Sequence, residues 1–556
     1  MRSFFLALTI VFWATGAYAQ HDICFRVDMQ DALDRELFQP ANGDRVILRG
    51  SFGGWVGNAL ELRDLDGDGV YAGVFTVPGE TGAEIEFKYL ILKPDSTVFW
   101  EWQPEPENAP FGNRRLLLTG NPQNVGKGQF VIDRYDLAAV GMPVMFSEDE
   151  LRADFDWLRR WLQDTHCCLY AHTGKEEFDA LFTQQRERID RPMQPHEFFR
   201  IIEPITGSVG CGHTSPWMSA AYWTYAGKGL FPLRFEFMDG YAVVTGYHGD
   251  EQKVRPGSII MEINGRPMQE IVDELAAHYS ADAFNREWKY AQVARRFSML
   301  YARRYGFAKE FPISCALPGR KTSVSVTLAP AEVAEVRKDV FPEPALSLVM
   351  DDAASAALLT VESFAYYDRV PWFRAFVDSA FAVIAEKKPE TLILDVRGND
   401  GGDPFCASYL LRYLESAPVR YFAEEYGKYA ALAKPLPVAE HAYRGQLITL
   451  LDGRCFSSNG HFCSLLKHHN IGTLVGSEGG GTFTCNDGSE QCHLPATRLL
   501  VFIPRGTFAT AVEDMSPDHG VRPDHEVRQR YRDYLDGRDT VMEYAMRMAR
   551  AQATRE

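Results

Sequence analysis

The sequence predicts a multidomain protein of mixed α+β and α/β class, with an N-terminal β-sandwich, a helical region, a small β module and a carboxy-terminal α/β core. The length of 556 residues corresponds to about three or four domains of roughly 100–200 residues each. Short alternating apolar segments come first, helical spacing follows, and strands alternate with helices from Leu358 onward. This succession of patterns predicts the order of the domains.

Composition and charge exclude several classes of protein. With 46% hydrophobic and 24% charged residues, the chain is neither a disordered acidic tail nor a Pro/Gly-dominated fibre. Its formal net charge of −17, with no basic run, excludes nucleic acid as the main partner, because phosphate neutralisation needs clustered Lys and Arg.

Ten cysteines are too few for a disulfide framework, although Cys485 and Cys492 could close a hairpin. No Cys/His spacing is typical of zinc, and we expect neither a metal nor a cofactor.

Residues 1–19 have the features of a cleavable signal peptide. Arg2 provides the positive charge, Phe4 to Trp13 form an apolar stretch, and Ala17-Tyr18-Ala19 is a small-x-small cleavage site. The apolar stretch is shorter than the roughly 20 residues that span a bilayer, and no later segment reaches that length. We therefore expect a mature protein that begins at Gln20 and is secreted or periplasmic, without a membrane span.

Residues 20–140 are predicted to form the β-sandwich, because short alternating segments such as Arg45 to Arg49 are separated by turn residues. The acidic run from Asp64 to Gly69 is similar to a calcium loop. An EF-hand, however, needs a glutamate at loop position twelve, where this chain has Phe75. An Asp/Gly-rich turn between strands is the favoured interpretation.

Three further regions follow. Residues 146–225 are predicted to be helical, beginning with a capping box at Ser147 to Glu150. Residues 228–285 have the strand pattern of a small β module. Residues 340–548 alternate strands and helices, which implies parallel strand pairing.

Two loops follow predicted strands of the α/β core, where open α/β sheets place their active sites. The first, Asp395 to Gly402, is glycine-rich and can turn backbone amides toward an oxyanion or a phosphate, but no Gly-Lys-Ser/Thr follows as in a P-loop. The second, Asp452 to Phe462, places Ser457 at the start of a helix, where the helix dipole favours developing negative charge. On this pattern alone, a simple N-cap residue is the favoured interpretation of Ser457.

Together these loops resemble the tail-specific, or C-terminal-processing, serine peptidases, a family that includes the tricorn core protease. Asp-Val-Arg-Gly-Asn-Asp-Gly-Gly at 395–402 matches the family's glycine loop, and Phe-Ser-Ser-Asn-Gly-His-Phe at 456–462 matches its nucleophile helix. Gly-Val-Arg-Pro-Asp at 520–524 matches its carboxy-terminal signature. The resemblance runs from about Ser147 to Met548 and implies a crotonase-like peptidase core.

The resemblance also implies roles for individual residues. Ser457, rather than Ser458, is the expected nucleophile, because of its spacing to Gly476. The expected oxyanion hole combines the Ser458 amide with an amide of Gly401 or Gly402, since a donor is needed where charge develops.

A serine hydroxyl needs a base. In the processing peptidases this base is a lysine, but Thr482 stands at that position here. The tricorn-like branch uses a histidine instead, and its motif matches Gly-His-Thr at His213. His461, one helical turn after Ser457, is a rival base.

The third member implied by the tricorn-like branch is a glutamate before the carboxy-terminal signature. Glu513 fits this position, with Asp514 and Asp518 as competitors. Two positions depart from the family, because Cys211 replaces a carboxylate and Gly460 replaces a glutamate. Both departures could affect the orientation of the attacking group.

Two other regions resemble known domains. Residues 20–140 resemble a starch-binding type of carbohydrate-binding module, which implies a sugar-stacking aromatic face at Trp55, Trp100 and Trp102. These side chains could instead be core residues. Within residues 228–285, the Pro-Gly turn and the apolar strand that follows it resemble a PDZ domain, which binds extended peptides by strand addition.

The leading hypothesis is an exported serine-type endopeptidase that hydrolyses peptide bonds by a Ser-His mechanism with a backbone oxyanion hole. Its expected partners are peptide or protein substrates and, through the N-terminal domain, a polysaccharide. The alternative is a catalytically inactive peptide- or glycan-binding protein on the same fold. A glycoside hydrolase lacks support, because no convincing carboxylate pair is found.

Overall fold

The computed structural model describes residues 19–101, 113–119, 122–126, 128–131, 144–219, 222–223, 227–249, 253–319 and 323–553. The chain divides into two compact units, residues 1–144 and residues 145–556. The predicted signal peptide lies outside the described residues except for Ala19, and Trp102 also lies outside them. Within the described ranges, no helix is long and apolar enough to cross a lipid bilayer.

The N-terminal unit contains two β-sheets that share one core, as in the predicted sandwich. Buried and less buried side chains alternate along its first strand, which is typical of a strand with one face on a core. Phe25, Leu48 and Phe87 come from both sheets and are fully buried in one cluster. The elements are β1 (Ala19–Asp28), α1 (Gln30–Asp34), β2 (Arg45–Gly50), β3 (Glu61–Leu62), β4 (Val70–Gly79), β5 (Glu84–Leu92), β6 (Val98–Trp100), β7 (Arg114–Leu117), β8 (Gln123–Asn124) and β9 (Gly128–Gln129). The sheet orders are β4-β1-β8, with β9 beside β1, and β3-β2-β5-β6, with β7 beside β5.

The second unit begins with three helices, as predicted. They are α2 (Glu148–Thr165), α3 (Lys175–Glu187) and α4 (Pro195–Ser208). The capping box is formed, because the Ser147 amide donates to Glu150 Oε2 at 2.8 Å and the Glu150 amide donates to Ser147 Oγ at 3.4 Å. Leu151, Phe155 and Leu158 are buried on one face of α2.

The β module is larger than the 228–285 segment that the sequence indicated. The elements of this region are β10 (Ser215–Trp217), β11 (Lys228–Leu230), β12 (Leu233–Met238), β13 (Tyr241–Tyr247), β14 (Ile259–Ile263), β15 (Arg266–Pro267), α5 (Met268–His278), α6 (Arg286–Tyr305), β16 (Phe311–Ala316), β17 (Ser323–Leu328), β18 (Ala331–Glu332) and α7 (Val333–Val340). The sheet of the module has the order β12-β13-β14-β16-β17, with β15 beside β14, and its last two strands follow the long helix α6.

The core sheet has the order β19-β20-β21-β24-β25-β30, in which all pairings except β19 with β20 are parallel. Helices α8, α9 and α10 bury their apolar side chains against one face, and α12 buries Val541 and Ala545 on the other. The strands are β19 (Leu346–Asp351), β20 (Ala356–Val361), β21 (Thr391–Asp395), β22 (Val419–Arg420), β23 (Pro435–Leu436), β24 (Gln446–Leu451), β25 (Thr473–Gly476), β26 (Thr484–Asp487), β27 (Glu490–His493), β28 (Leu500–Ile503), β29 (Gly506–Ala509) and β30 (His525–Glu526). The helices are α8 (Val370–Lys387), α9 (Pro404–Leu411), α10 (Ser458–His468), α11 (Tyr531–Leu535) and α12 (Thr540–Ala553).

All ten cysteines are free thiols in this structure. Cys485 and Cys492 lie on β26 and β27, which pair with different strands, and no disulfide joins them. Cys211 is buried, and burial raises the pKa of its thiol to about 12.

Candidate active site

Two loops meet at the carboxyl edge of the core sheet. β21 and β24 are adjacent and parallel, with Asp395 paired to Leu450, so the chain leaves both strands at the same edge. Asn459, in the first turn of α10, donates through Nδ2 to the carbonyls of Val396 (3.1 Å) and Asn399 (3.0 Å). This buried side chain ties the glycine loop to the helix that follows Ser457.

Ser457 occupies a strained turn immediately before α10. Its φ of 52° and ψ of −128° are rarely adopted by residues with a side chain, and such strain is frequent at functional sites. The turn presents Ser457 Oγ to the Nε2 atom of His213 at 3.2 Å, although 244 positions of sequence separate the two residues. The structure thus brings the two predicted residues within hydrogen-bond reach.

The His213 ring is held from its face and through the neighbouring backbone. It stacks on Phe456 with ring centroids 4.7 Å apart, and Phe456 stacks in turn on Trp288 at 4.0 Å. Trp288 Nε1 donates to the Ser280 carbonyl (3.1 Å), and Ser280 Oγ donates to the Thr214 carbonyl (2.6 Å). Sequence reasoning missed Trp288 and Ser280, because no local motif marks them.

Two carboxylates near His213 were also not predicted. Asp487 Oδ2 lies 3.8 Å from His213 Nε2, and the Asp487 side chain is 44% exposed. Asp282 accepts the amide hydrogen of Gly212 through Oδ1 at 2.7 Å. Burial raises the pKa of Asp282, while the charge of His213 and the Gly212 amide act in the opposite direction.

Glu513, the predicted third member, is exposed. Within the described part of the chain, no hydrogen bond or ion pair joins Glu513 to His213, and its competitor Asp518 is bonded to Ser516. The role of Glu513 therefore stays a prediction, and the carboxylates that lie by the ring are other ones.

The glycine loop passes directly against the Ser457 turn. A Cβ at Gly401 would lie 2.8 Å from Ser457 Cβ and 3.0 Å from the Ser458 nitrogen. The Gly401 amide donates to Asn399 Oδ1 at 2.8 Å and is therefore occupied. The amides of Gly402 and Ser458, by contrast, donate no hydrogen bond to any described residue.

Residues 355–527 match the family model of peptidase family S41. This segment contains both loops of the site and is similar to the serine-type peptidases of that family. A tricorn protease homolog of Saccharolobus solfataricus is 27% identical over 183 residues, which are 32% of this chain and only 16% of that protein. Structures of mature CPAF complexed with lactacystin and of mature CPAF are similar, with TM-scores of 0.55 and 0.53 and identities of 12% and 13%. The similarity covers 73% and 72% of this chain and 98% and 97% of those chains, and at this identity it shows a shared fold.

The segment that matches the family model is joined to the β module by a partly buried ionic cluster around Asp400. Arg454 Nε and Gln292 Nε2 donate to Asp400 Oδ1 at 3.0 and 3.1 Å, and Arg295 binds Asp400 Oδ2. Burial raises the pKa of Asp400, but the charges of Arg454 and Arg295 outweigh it and leave this pKa below its usual range. Since Asp400 and Arg454 belong to the two loops of the site, the cluster fixes both loops.

Three other positions named in the sequence analysis, Gly460, Thr482 and His461, are buried or closely packed in the same segment. A Cβ at Gly460 would lie 2.9 Å from the backbone of Gly481, so α10 packs too closely for a side chain there. Thr482, at the lysine position, is buried and donates through Oγ1 to the Ser516 carbonyl at 3.2 Å. His461, the rival base, is buried, and burial lowers its pKa to about 4.

In the N-terminal unit, Trp55 and Trp100 lie with ring centroids 6.4 Å apart. The Arg49 guanidinium lies 5.3 Å from the Trp100 ring. Both tryptophans are half-buried, and Trp100 also packs on the buried side chains of its sheet.

The acidic run in this unit is a turn, as predicted. Asp64 accepts the amide hydrogens of Gly67 (2.7 Å) and Gly69 (3.0 Å). The carboxylates of Asp64, Asp66 and Asp68 lie within 4.8 Å of one another.

Proposed function

We propose that this protein is an exported serine-type endopeptidase with Ser457 as nucleophile and His213 as general base. The observation that carries the proposal is the 3.2 Å separation of His213 Nε2 and Ser457 Oγ, beside a domain of a serine peptidase family. The strained backbone of Ser457 supports the same role, because strain of this kind persists where the surrounding structure holds a functional residue in place.

The reaction follows from these positions. His213 Nε2 takes the proton of Ser457 Oγ as this oxygen attacks the peptide carbonyl, and then gives it to the leaving amine. A water molecule repeats the sequence on the acyl-enzyme. The amides of Gly402 and Ser458 donate to the oxyanion, which the positive end of the α10 dipole also stabilises. Gly402 is favoured over Gly401, because the Gly401 amide already binds Asn399.

The proposed substrates are peptides or proteins, and no cofactor takes part in the scheme. Export is supported by the signal-peptide pattern of residues 1–19. We expect amino-terminal sequencing of the exported protein to begin at Gln20. An intact Met1 on the exported protein would contradict cleavage.

The test of the endopeptidase is Ser457→Ala in the full chain. Hydrolysis of a denatured protein substrate and labelling by a fluorophosphonate probe should both be abolished. Ser464→Ala is the matched control, because Ser464 lies on the same helix and donates to the His461 carbonyl at 2.7 Å, away from the reacting atoms. Turnover that survives in Ser457→Ala would refute the assignment.

A polysaccharide-binding role of the N-terminal unit is a second proposal. The Trp55 and Trp100 pair with Arg49 beside it supports the role, because sugar rings stack on half-exposed aromatic faces. The test is retention of the full chain on insoluble starch, which Trp55→Ala with Trp100→Ala should abolish. If the wild type binds starch or peptide but neither hydrolyses peptides nor reacts with the probe, the chain is the inactive binding protein instead.

A further inference from the structure

The half-buried carboxylate of Asp282, next to the proposed catalytic histidine, has one buried oxygen without a partner among the described residues. Asp282 Oδ1 accepts the Gly212 amide hydrogen at 2.7 Å. Its other oxygen, Oδ2, is buried and receives no hydrogen bond from the described residues. Buried carboxylate oxygens are normally paired, because leaving one unpaired costs free energy.

His213 has the complementary unpaired atom. Its Nε2 faces Ser457 Oγ, so the neutral ring that can accept the serine proton carries its hydrogen on Nδ1. Nδ1 is also buried and has no hydrogen-bond partner in the described part of the chain. Since His213 directly follows Gly212, the unpaired donor and the unpaired acceptor belong to neighbouring groups.

We propose that Asp282 is the positioning residue of His213: its Oδ2 accepts the Nδ1 hydrogen and stabilises the imidazolium that forms during the reaction. The inference rests on the proposed function and deepens it, because Asp282 takes the role that the resemblance implied for Glu513. Catalytic hydrogen bonds are often long without substrate and shorten in the complex. Burial raises the pKa of Asp282, and His213 is the strongest influence that lowers it, so the carboxylate is charged most readily when the ring is protonated.

The other carboxylates fit this role less well. Asp487 lies 3.8 Å from Nε2, the ring nitrogen that serves Ser457, and is therefore on the wrong nitrogen to fix the tautomer. Glu513 is exposed. The titratable groups that act on Asp282 are His213, His172, Asp487, Cys211 and Cys485.

The test is Asp282→Asn, which keeps an oxygen for the Gly212 amide but removes the charge. We expect kcat to fall by on the order of 10²–10⁴-fold with a much smaller change in KM, because the wrong tautomer is favoured. The acid limb of the kcat/KM pH profile should move to lower pH, since the imidazolium loses its stabilising charge. Asp282→Glu, which keeps the charge, should restore the acid limb.

Asp154→Asn is a matched control for the loss of a buried carboxylate. Asp154 also accepts backbone amide hydrogens, from Ala496 and Thr497 at 2.8 Å each. Its substitution should lower the melting temperature and leave the acid limb in place.

An Asp282→Asn enzyme with wild-type kcat and an unchanged acid limb of the pH profile would overturn the proposal. It would also be overturned if Glu513→Gln alone lowered kcat by the factor expected of Asp282→Asn. A wild type without hydrolysis or probe labelling would instead refute the peptidase itself. A readout that needs no activity separates the two cases. In Ser457→Ala protein with labelled histidine, NMR should show the His213 ring titrating at lower pH when Asp282→Asn is added, and an unchanged titration would refute the positioning role.

Discussion

The ring of Phe456 stacks on the imidazole of His213, with centroids 4.7 Å apart and an angle of 29° between the planes. Phe456 also immediately precedes Ser457 in the chain. The residue that begins the strained turn of the nucleophile is therefore the residue that supports the face of the base. The relative position of His213 and Ser457 therefore depends on the Phe456 ring as well as on the hydrogen bond between His213 and Ser457.

Phe456→Leu should lower kcat by about 3- to 10-fold with little change in KM, because a ring stack is worth about 0.5–1.5 kcal/mol. Steady-state kinetics on a peptide substrate check this. Phe405→Leu is the control, since Phe405 pairs with Tyr429 at 4.9 Å rather than with His213. Equal kcat values for Phe456→Leu and the wild type would show that the stack does not align the base.

Gly402→Ala should abolish most activity in a folded protein. Gly402 has a φ of 142°, and an added Cβ would lie 2.2 Å from the Ala365 nitrogen and the Phe364 carbonyl carbon. These are backbone atoms, so the glycine loop must shift and carry its amide away from the oxyanion position. A loss of about 10²–10³-fold in kcat is expected, the usual effect of losing one oxyanion donor.

The control for this variant is Gly319→Ala, because Gly319 has a φ of 69° but no atom of the described residues lies within 4 Å of the added Cβ. It should cost about 1 kcal/mol of stability at most and leave kcat unchanged. Circular dichroism and thermal melting check that both variants are folded. If the two variants have the same kcat, the close approach at Gly402 does not matter for catalysis.

The meeting of the glycine loop with the Ser457 turn could be predicted from local patterns in the sequence. The glycine loop and the serine turn follow buried strands, and parallel strands bring such loops to one edge. The pairing of His213 with Ser457 was expected only from the resemblance to the tricorn-like branch, because no local pattern shows how the helical region packs on the core.

Asp282, Asp487 and Trp288 could not be predicted in this way. They reach the site from a loop, the end of strand β26 and helix α6, through contacts that no local pattern encodes. Glu513 was chosen by chain position alone, whereas the fold leaves this side chain exposed. The limit of the β module was missed for a similar reason, since the 20-residue helix α6 interrupts the strand pattern before β16 and β17 complete the sheet.

Asp400→Asn should lower the free energy of unfolding by about 3 kcal/mol. This value is at the low end of the cost of removing one partner of a buried ion pair, because the Asp400 side chain is 29% exposed. The pKa of Asp400 is lowered in the folded state, so its contribution is present above the unfolded pKa and is lost as the pH falls through the folded value. Urea unfolding at a series of acidic pH values should therefore show a steeper loss of stability for the wild type than for the variant. Parallel curves would contradict the role of this cluster.

Glu415 should have the opposite dependence on pH. It is fully buried, neither carboxylate oxygen has a hydrogen-bond partner among the described residues, and burial raises its pKa to about 7 despite the charges of Arg412 and Arg444. Because the folded pKa lies above the unfolded one, the stability that the protonated form provides is complete below the unfolded pKa and is lost as the pH rises through about 7.

Glu415→Gln removes this titration. At about pH 8 the variant should be more stable than the wild type by about 1–3 kcal/mol, the cost of an unpaired buried polar group, and at about pH 4 the difference should vanish. Glu386→Gln, an exposed position on α8, is the control and should change stability at neither pH. Urea unfolding at both pH values decides the matter: a variant that is less stable than the wild type at alkaline pH would mean that the ionised carboxylate is paired in solution, and the buried, protonated state of Glu415 would be refuted.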